Sequence, residues 1–407
     1  MTRASVVLAT VIASMILVVA LLLRSLVAEQ TLVLEDPGKE TPGLSFESVR
    51  VSDAPDPAPV PTASLSGEID PSSQEEGVAG REWTRLNNET AELLRSKAHE
   101  RAVEGFRRCH DARPENDIFR RNLAEALARW ARELHEQQKL AAAIAALEEV
   151  LELAPEREDH ETQRSLLERW RAQFSVEQDH WHEGSDLFTL SFDTDRRDIL
   201  HNSQDVLDHL EKSYEELRLW FGADPVREGG RRPIRVVLYD SDEFDHVTGL
   251  GDWAGGVFDG TVRVSVDDLR VGNWKATLKH ELVHAFLFEI GGRSVPGWLN
   301  EGLAQLLENQ AGEVDRARAR LRRDGVVFEL EGLEGSLVGW DDTQAISRAY
   351  AQTLVWADDL RANYGEEALR RMVHAAGEGQ EVGVAFEEWT SVPLSFAYRS
   401  FRERLFR

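Results

Sequence analysis

The 407-residue chain is predicted to fold as an α+β protein preceded by an all-α region. Three observations predict this. Runs rich in β-branched and aromatic residues, "LFTLSFD" (187–193) and "PIRVVLYDS" (233–241), sit just past the middle of the chain. Helical periodicity dominates after them, an order of strands first and helices later. Upstream, residues 83–178 are helix-forming and Ala-rich, with no strand signal. A hydrophobic content of 42% lets such a chain bury a sizeable core and leaves room for two or three domains. A net charge of -26 excludes a nucleic-acid surface, which needs clustered Lys and Arg to attract phosphate.

Residues 1–28 contain the uncharged run "ASVVLATVIASMILVVALLL" (4–23), about the ~20 residues that cross a bilayer as a helix. A cleaved signal has a shorter apolar core of roughly 7–15 residues, and "SLVAEQ" is a poor cleavage site, so a retained anchor is expected. Arg3 on a very short tail, opposed by Arg24 but followed by Glu29, Glu35 and Asp36, orients the amino terminus inward and the bulk of the chain across the membrane. No Cys stands nearby to carry a lipid. Residues 29–82, including "DAPDPAPVPTASLSGEIDPSSQEEG", hold too little apolar surface to fold and read as a spacer.

Within residues 83–178, Ala102, Phe106, Cys109 and Pro114 recur at the same offsets as Ala143, Leu147, Val150 and Pro155, 41 positions later. The pattern resembles tetratricopeptide repeats, whose period is ~34, with an insertion of two helical turns. The resemblance implies stacked helix pairs and a protein partner bound on their surface. An ordinary helical bundle is the competing reading. A region of this kind is expected to be separable, so that deleting residues 83–178 spares the rest; loss of a metal on deletion would show one common core.

Residues 179–407 form the α+β region. After the first strand, residues 198–221 carry apolar positions at helical spacing. "GGVFDGTVRVSV" (255–266) places Asp259-Gly260 between alternating runs, the signal of a type I′ hairpin. "HWH" (180–182) lacks a third nearby ligand and is set aside.

The chemistry lies in "KHELVHAFLFEIGGRSVPGWLNEGLAQLLE" (279–308). Residues four apart on a helix share a face, so His280 and His284 can grip one ion. The helix reads as buried on most of its surface, and leaving each polar group there unsatisfied would cost roughly 2–7 kcal/mol, a cost that a bound cation removes. "GGRSVPG" breaks the chain, and Pro296 opens a second helix that can fold back and present Glu301 as a third ligand, with Gly302 leaving room for the approach. The single Cys109 permits neither an intramolecular disulfide nor a CxxC site, so His and carboxylates must hold any metal.

HELVH followed by WLNEGLA resembles the gluzincin zinc metallopeptidases, and residues 187–407 are similar to the peptidase MA-like domains found beside tetratricopeptide repeats in bacterial envelope proteins. The resemblance implies a zincin-like fold, Zn2+ held by His280, His284 and Glu301, and Glu281 as general base for a zinc-bound water attacking a peptide bond, in an endopeptidase. It further implies an inner-membrane, single-pass protein whose bulk lies in the periplasm or another extracytoplasmic space. Relatives supply an oxyanion donor from downstream; Tyr350 is the candidate, with His374 and Tyr364 behind it. Zincins lay substrate along a sheet edge, for which the 255–266 hairpin is the natural supplier. Position 305 is Gln where a thermolysin-like pattern has Asp, so the carboxylate that should orient a His is not located; Glu308 is expected to tolerate Gln unless it is that partner. The alternative is a repeat-bearing scaffold whose peptidase-like domain is weakly active or inactive; the intact Glu281 speaks against it. A zincin-fold hydrolase of a non-peptide bond remains open.

Overall fold

The computed structural model describes residues 78–407 apart from 156–158, 228–231, 251–254, 268, 271–272, 309–311, 336, 338–339 and 341. The apolar run at 4–23 lies outside the described residues, as does nearly all of the 29–82 spacer. Among the described residues no helix is long and apolar enough to cross a membrane.

Five helices come first: α1 (Val78–Arg95), α2 (His99–Ala112), α3 (Asp117–Glu136), α4 (Leu140–Leu153) and α5 (His160–Glu177). The first begins inside the stretch read as spacer, because Thr84, Asn87, Ala91 and Leu94 form a buried stripe at helical spacing. The 41-residue repeat has a backbone counterpart. Lys97 and Gln138, 41 positions apart, both take the left-handed conformation, at φ 61° and 62°. In each turn the next residue's N–H reaches back to a leucine carbonyl, Ala98 to Leu93 at 2.9 Å and Lys139 to Leu134 at 2.8 Å. Two helical hairpins are thus closed by the same turn, a Schellman-type cap made without glycine. Ala102, Phe106 and Cys109 on α2, and Ala143, Leu147 and Val150 on α4, are fully buried. The extra length of the repeat falls in α3, which has 20 residues against 14 in α2 and α4.

The remainder is mostly helical around one small mixed sheet, which makes the class α+β. Strands β1 (Trp181–Gly184), β2 (Phe188–Phe192), β3 (Ile234–Tyr239), β4 (Gly256–Phe258) and β5 (Val262–Ser265) stand in the order β1-β2-β3-β5-β4. The central pairs β2–β3 and β3–β5 are parallel and the outer pairs antiparallel. Helix α6 (Arg197–Phe221) connects β2 to β3, and α7 (Ser241–Thr248), opened by an Asp240–Glu243 capping box, follows β3. Trp181 and His182 of the "HWH" segment open the edge strand β1. Because β-strand side chains alternate, one sheet face carries Leu190, Val236, Leu238, Val262 and Val264 into the main core with α6 and the later helices. The opposite face carries Val237, Tyr239 and Val257, packed with Phe244 and Val247 of α7 and Val176 of α5.

The β4–β5 turn departs from the expected type I′ geometry, which needs positive φ at both central residues. Only Gly260 has it, at φ 94°, and the connection is the three residues Asp259-Gly260-Thr261. The Asp259 carboxylate is otherwise engaged, accepting from the Thr261 N–H at 3.1 Å and from Arg263 Nε at 3.0 Å.

Helix α5 is tied to the sheet by a buried ion-pair network. Glu177, at the end of α5, is buried against the sheet, where its carboxylate accepts from Arg263 Nη1 at 2.6 Å, Arg235 Nη2 at 2.7 Å, Gln173 Nε2 at 3.1 Å and the Tyr239 hydroxyl. Arg263 is itself buried, with Asp259 on its other side. Taking one partner from such a pair typically costs about 3–5 kcal/mol, because the other charge stays behind in the core. Deletion of residues 83–178 would uncover this face and strand Arg263, so it is expected to destabilise the sheet. Besides the main core, the described residues hold two smaller apolar clusters, one among the first five helices and one under the sheet, and both include residues of α5.

Burial alone would push the Glu177 carboxyl up; Arg263 and Arg235, with the Tyr239 and Gln173 hydrogen bonds, overcome it and hold the pKa at about 2, below the ordinary 4.5. A depressed folded-state pKa stabilises fully above pH 4.5 and is lost as pH falls toward 2, here by roughly 3 kcal/mol. Urea unfolding of the parent and of Glu177→Gln should therefore differ most near pH 5 and converge as the pH approaches 2. Parallel stability curves across that range would show that Glu177 is not linked to folding.

Candidate metal centre

The motif helix, α8 (Trp274–Gly291), buries Leu278, Glu281, Leu282, Val283, Ala285, Phe286 and Leu287, so apolar contacts lie on most of its surface. His280 and His284 stand one turn apart, their rings edge to face with centroids 4.8 Å from each other. After a short 3₁₀ turn (Gly292–Ser294), α9 (Gly297–Glu308) returns beside α8. Gly297 is required at its start, because a Cβ there would stand 1.9 Å from the Gly335 carbonyl oxygen.

Gly302 also permits a close approach, but to a different neighbour than expected. An added Cβ would lie 2.6 Å from the Thr353 carbonyl oxygen and 3.0 Å from the Ala357 Cβ, so the contact is with α11 (Thr343–Tyr364), the helix that carries Tyr350, and not with α8. Gln305 reinforces the same contact: its Nε2 donates to the Tyr350 carbonyl and to Thr353 Oγ1, both at 3.1 Å. Helices α9 and α11 are thereby locked together, with Glu301 on one and Tyr350 on the other. Helix α10 (Glu313–Asp324) and the terminal helices α12 (Glu366–Gly377), α13 (Val382–Thr390) and α14 (Leu394–Leu405) complete this side.

The three expected ligands come together. Glu301 Oε2 lies 3.7 Å from His280 Nε2 and 3.8 Å from His284 Nε2, and the three ligand atoms all fall within 4.8 Å of one another. Atoms that share one ion at about 2 Å each stand no more than ~4 Å apart, which both imidazole–carboxylate distances satisfy. Glu301 Oε2 is buried and accepts no hydrogen bond. A carboxylate oxygen sealed from water and left without a donor is costly, and it is aimed where a cation would neutralise it. The donor set, two imidazoles and one carboxylate, suits zinc among other divalent ions.

The residues that orient the imidazoles were largely missed from sequence. His280 Nδ1 donates to Glu308 Oε2 at 2.8 Å, and His284 Nδ1 donates to Asn300 Oδ1 at 2.9 Å. These bonds fix the tautomers and turn both Nε2 atoms toward Glu301. Glu308 is therefore the missing orienting carboxylate and not a neutral control position; Gln305, in the place examined for it, serves the α9–α11 contact. A signal was present: Glu308 follows Glu301 by seven residues, two turns along the same helix face, and these are the only acids in α9.

Charge in the site follows from burial. Burial would lower the His280 pKa, but the nearby Glu301 carboxylate, the hydrogen bond to Glu308 and the charge of Glu281 raise it to about 10. Burial lowers that of His284, against the pull of Glu301. Glu301 lies below the usual carboxylate range because the two imidazoles outweigh its desolvation. Burial pushes Glu281 up to about 8, opposed by His280 and assisted by the negative charge of Glu301 and Glu308. Strand β4 seals Glu281: a Cβ on Gly256 would meet its Oε1 at 2.7 Å and its Cγ at 2.8 Å. Tyr350 is half-buried, and desolvation followed by the charges of Glu301 and Glu281 holds its phenol well above the ordinary value, which places the ring within electrostatic reach of both carboxylates. His374 does not join them, since its Nε2 bonds the Phe221 carbonyl at 3.0 Å, and Tyr364 packs against Phe386.

No model of a known protein family matches the chain, and no curated protein matches it at a significant level.

With the His280 pKa near 10 when no ion is held, a cation arriving at neutral pH displaces a proton, and affinity falls as the pH is lowered. Calorimetric titration with zinc at pH 7, in two buffers of different ionisation enthalpy, should report at least about one proton released per ion. Zero release would contradict the arrangement. His280→Ala and Glu301→Ala should abolish tight binding, whereas Glu308→Gln should weaken it by roughly 10- to 100-fold while leaving the ligands in place.

Proposed function

We propose that the protein is a membrane-anchored zinc metallopeptidase of gluzincin type, an endopeptidase acting on protein substrates outside the cytoplasm. The observation that carries this reading is the buried, donorless Glu301 Oε2 facing two imidazoles, with a second buried carboxyl group, Glu281, sealed beside them. His280, His284 and Glu301 would hold the ion. When bound, zinc would supply Lewis acidity there.

The chain's own residues do the rest. Glu281, whose proton affinity burial raises toward neutrality, takes the proton of the attacking water and returns it to the leaving nitrogen. Tyr350 donates its phenolic proton to the carbonyl oxygen as negative charge develops there. The edge strand β4 lies beside α8 with one side unpaired in the sheet, so an extended peptide can add to it through main-chain hydrogen bonds that tolerate varied sequence. The tetratricopeptide-like hairpins α1–α4 offer a surface for a partner or substrate, and the apolar run at residues 4–23 supplies the anchor.

Glu281→Gln should retain the ion and lose ~100- to 10,000-fold in kcat toward an unfolded protein substrate, the range expected for removal of a general base. Tyr350→Phe should lower kcat by on the order of 100-fold with little change in KM, since an oxyanion donor acts in the transition state. Undiminished turnover by Glu281→Gln would exclude the mechanism, and a metal-bound but inert parent would favour the scaffold reading. An alkaline phosphatase fusion after residue 82 should be active if the chain is exported; an inactive fusion would place the site in the cytoplasm.

A further inference from the structure

Hairpin β4–β5 is held from two sides. On the α8 side, Gly256 touches the Glu281 side chain, and two residues along, Phe258 packs edge-on against Phe288 with ring centroids 5.8 Å apart. On the other side stands Arg263, whose guanidinium joins three partners: Asp259 in the hairpin's own turn at 3.0 Å, Glu177 of α5 at 2.6 Å and the Tyr239 hydroxyl of β3. The chain of contacts continues into the helical region. Glu177 accepts from Gln173, whose Oε1 lies 3.0 Å from His135 Nε2 on α3, and the His135 ring stacks on Trp170 at 4.7 Å. Arg235 extends it to Gln138, in the turn between α3 and α4.

We propose that the buried chain Glu177–Arg263–Asp259 makes the helical region a working part of the metal site by pressing the β4–β5 hairpin against Glu281, so that Arg263 and Glu177 are positioning residues for the general base. The inference rests on the function proposed above for that base. A three-residue turn with one glycine at positive φ has little rigidity of its own, and β4 has only one sheet neighbour. Its placement on Glu281 is set by what grips its turn, and that grip is a salt bridge anchored in α5. A displacement of about 1 Å at a reacting group can cost as much as 100-fold in rate, so slack in the hairpin appears in kcat before it appears in folding.

The test uses the full-length chain and two readouts, amide hydrogen exchange of residues 256–265 and steady-state kinetics, with bound zinc measured in every variant. Asp259→Asn is the gentlest change, since it removes the charge that holds Arg263 to the turn and leaves at most a neutral hydrogen bond there, while the Glu177–Arg263 pair stays buried and intact. It and Glu177→Gln should keep one ion per chain, speed exchange in the hairpin at least several-fold and lower kcat by on the order of 10- to 100-fold, with KM nearly unchanged. Arg263→Lys, which keeps the charge but loses the fork, should lie between Arg263→Gln and the parent. Arg107→Ala, which breaks an ion pair to Glu149 within the helical region, should leave both readouts unaltered. If Glu177→Gln or Arg263→Gln fails to fold, Asp259→Asn decides. Unchanged exchange in folded Asp259→Asn overturns the proposal, as does faster exchange with an unaltered kcat. A parent that binds zinc but cleaves nothing overturns the proposed peptidase activity instead, and the exchange readout then judges the brace by itself.

Discussion

Everything around the metal centre answers one electrostatic constraint: three carboxylates and two imidazoles share a water-poor space among the leucines, valines and phenylalanines of α8 and α9. Their charges have to balance inside it. Glu308 gains the Nδ1–H of one imidazole, and Asn300 accepts that of the other. These two bonds leave Glu301 facing only ring nitrogens, with one oxygen bare. A proton on His280 serves as a partial substitute for a cation, which is why that ring holds its proton so tightly, while burial and the neighbouring negative charge make Glu281 hold a proton as well. The cluster thus has the charge balance of a site that could hold a cation.

That constraint was visible in the sequence because it violates hydrophobic patterning. Two His and a Glu on an otherwise apolar helix are an inconsistency that only a functional group resolves, and the glycine-proline break that follows forces a second helix to return past the first. The helical hairpins were equally legible, since Ala102, Phe106 and Cys109 recur as Ala143, Leu147 and Val150 and each set faces its neighbouring helix. What could not be read is whatever depends on pairs distant in sequence. Glu177 and Arg263 stand 86 positions apart, and nothing local distinguishes Arg263 from a solvated strand arginine until β3 and α5 close over it. The turn at Asp259-Gly260 has a nearer cause, a partner four residues along the chain. The dipeptide signals type I′ geometry on its own, but a carboxylate already committed to Arg263 draws the loop into another conformation. Tertiary contacts override propensity where the side chain has a stronger partner elsewhere.

Gly302 teaches a related lesson. A glycine beside a ligand suggests room for the metal helix, yet the atoms a Cβ would strike belong to α11. The contact it allows is nevertheless part of the site, because it sets the distance from Glu301 to the helix that carries Tyr350. A residue can therefore be identified as important for close approach from sequence while its partner is identified only by topology.

The sheet shows how the two regions of the chain came to depend on each other. Side chains on β5 alternate, so Val262 and Val264 face α8 while Arg263 faces α5. A slip of one residue in the pairing of β5 with β3 would reverse this, driving a guanidinium toward Glu281 and leaving Glu177 buried with an unanswered charge. The register that delivers Gly256 to Glu281 is the same one that delivers Arg263 to Glu177, so neither requirement can be met without the other. The helical region enforces the geometry of the metal helix through strand parity, with a sheet only five strands wide standing between them.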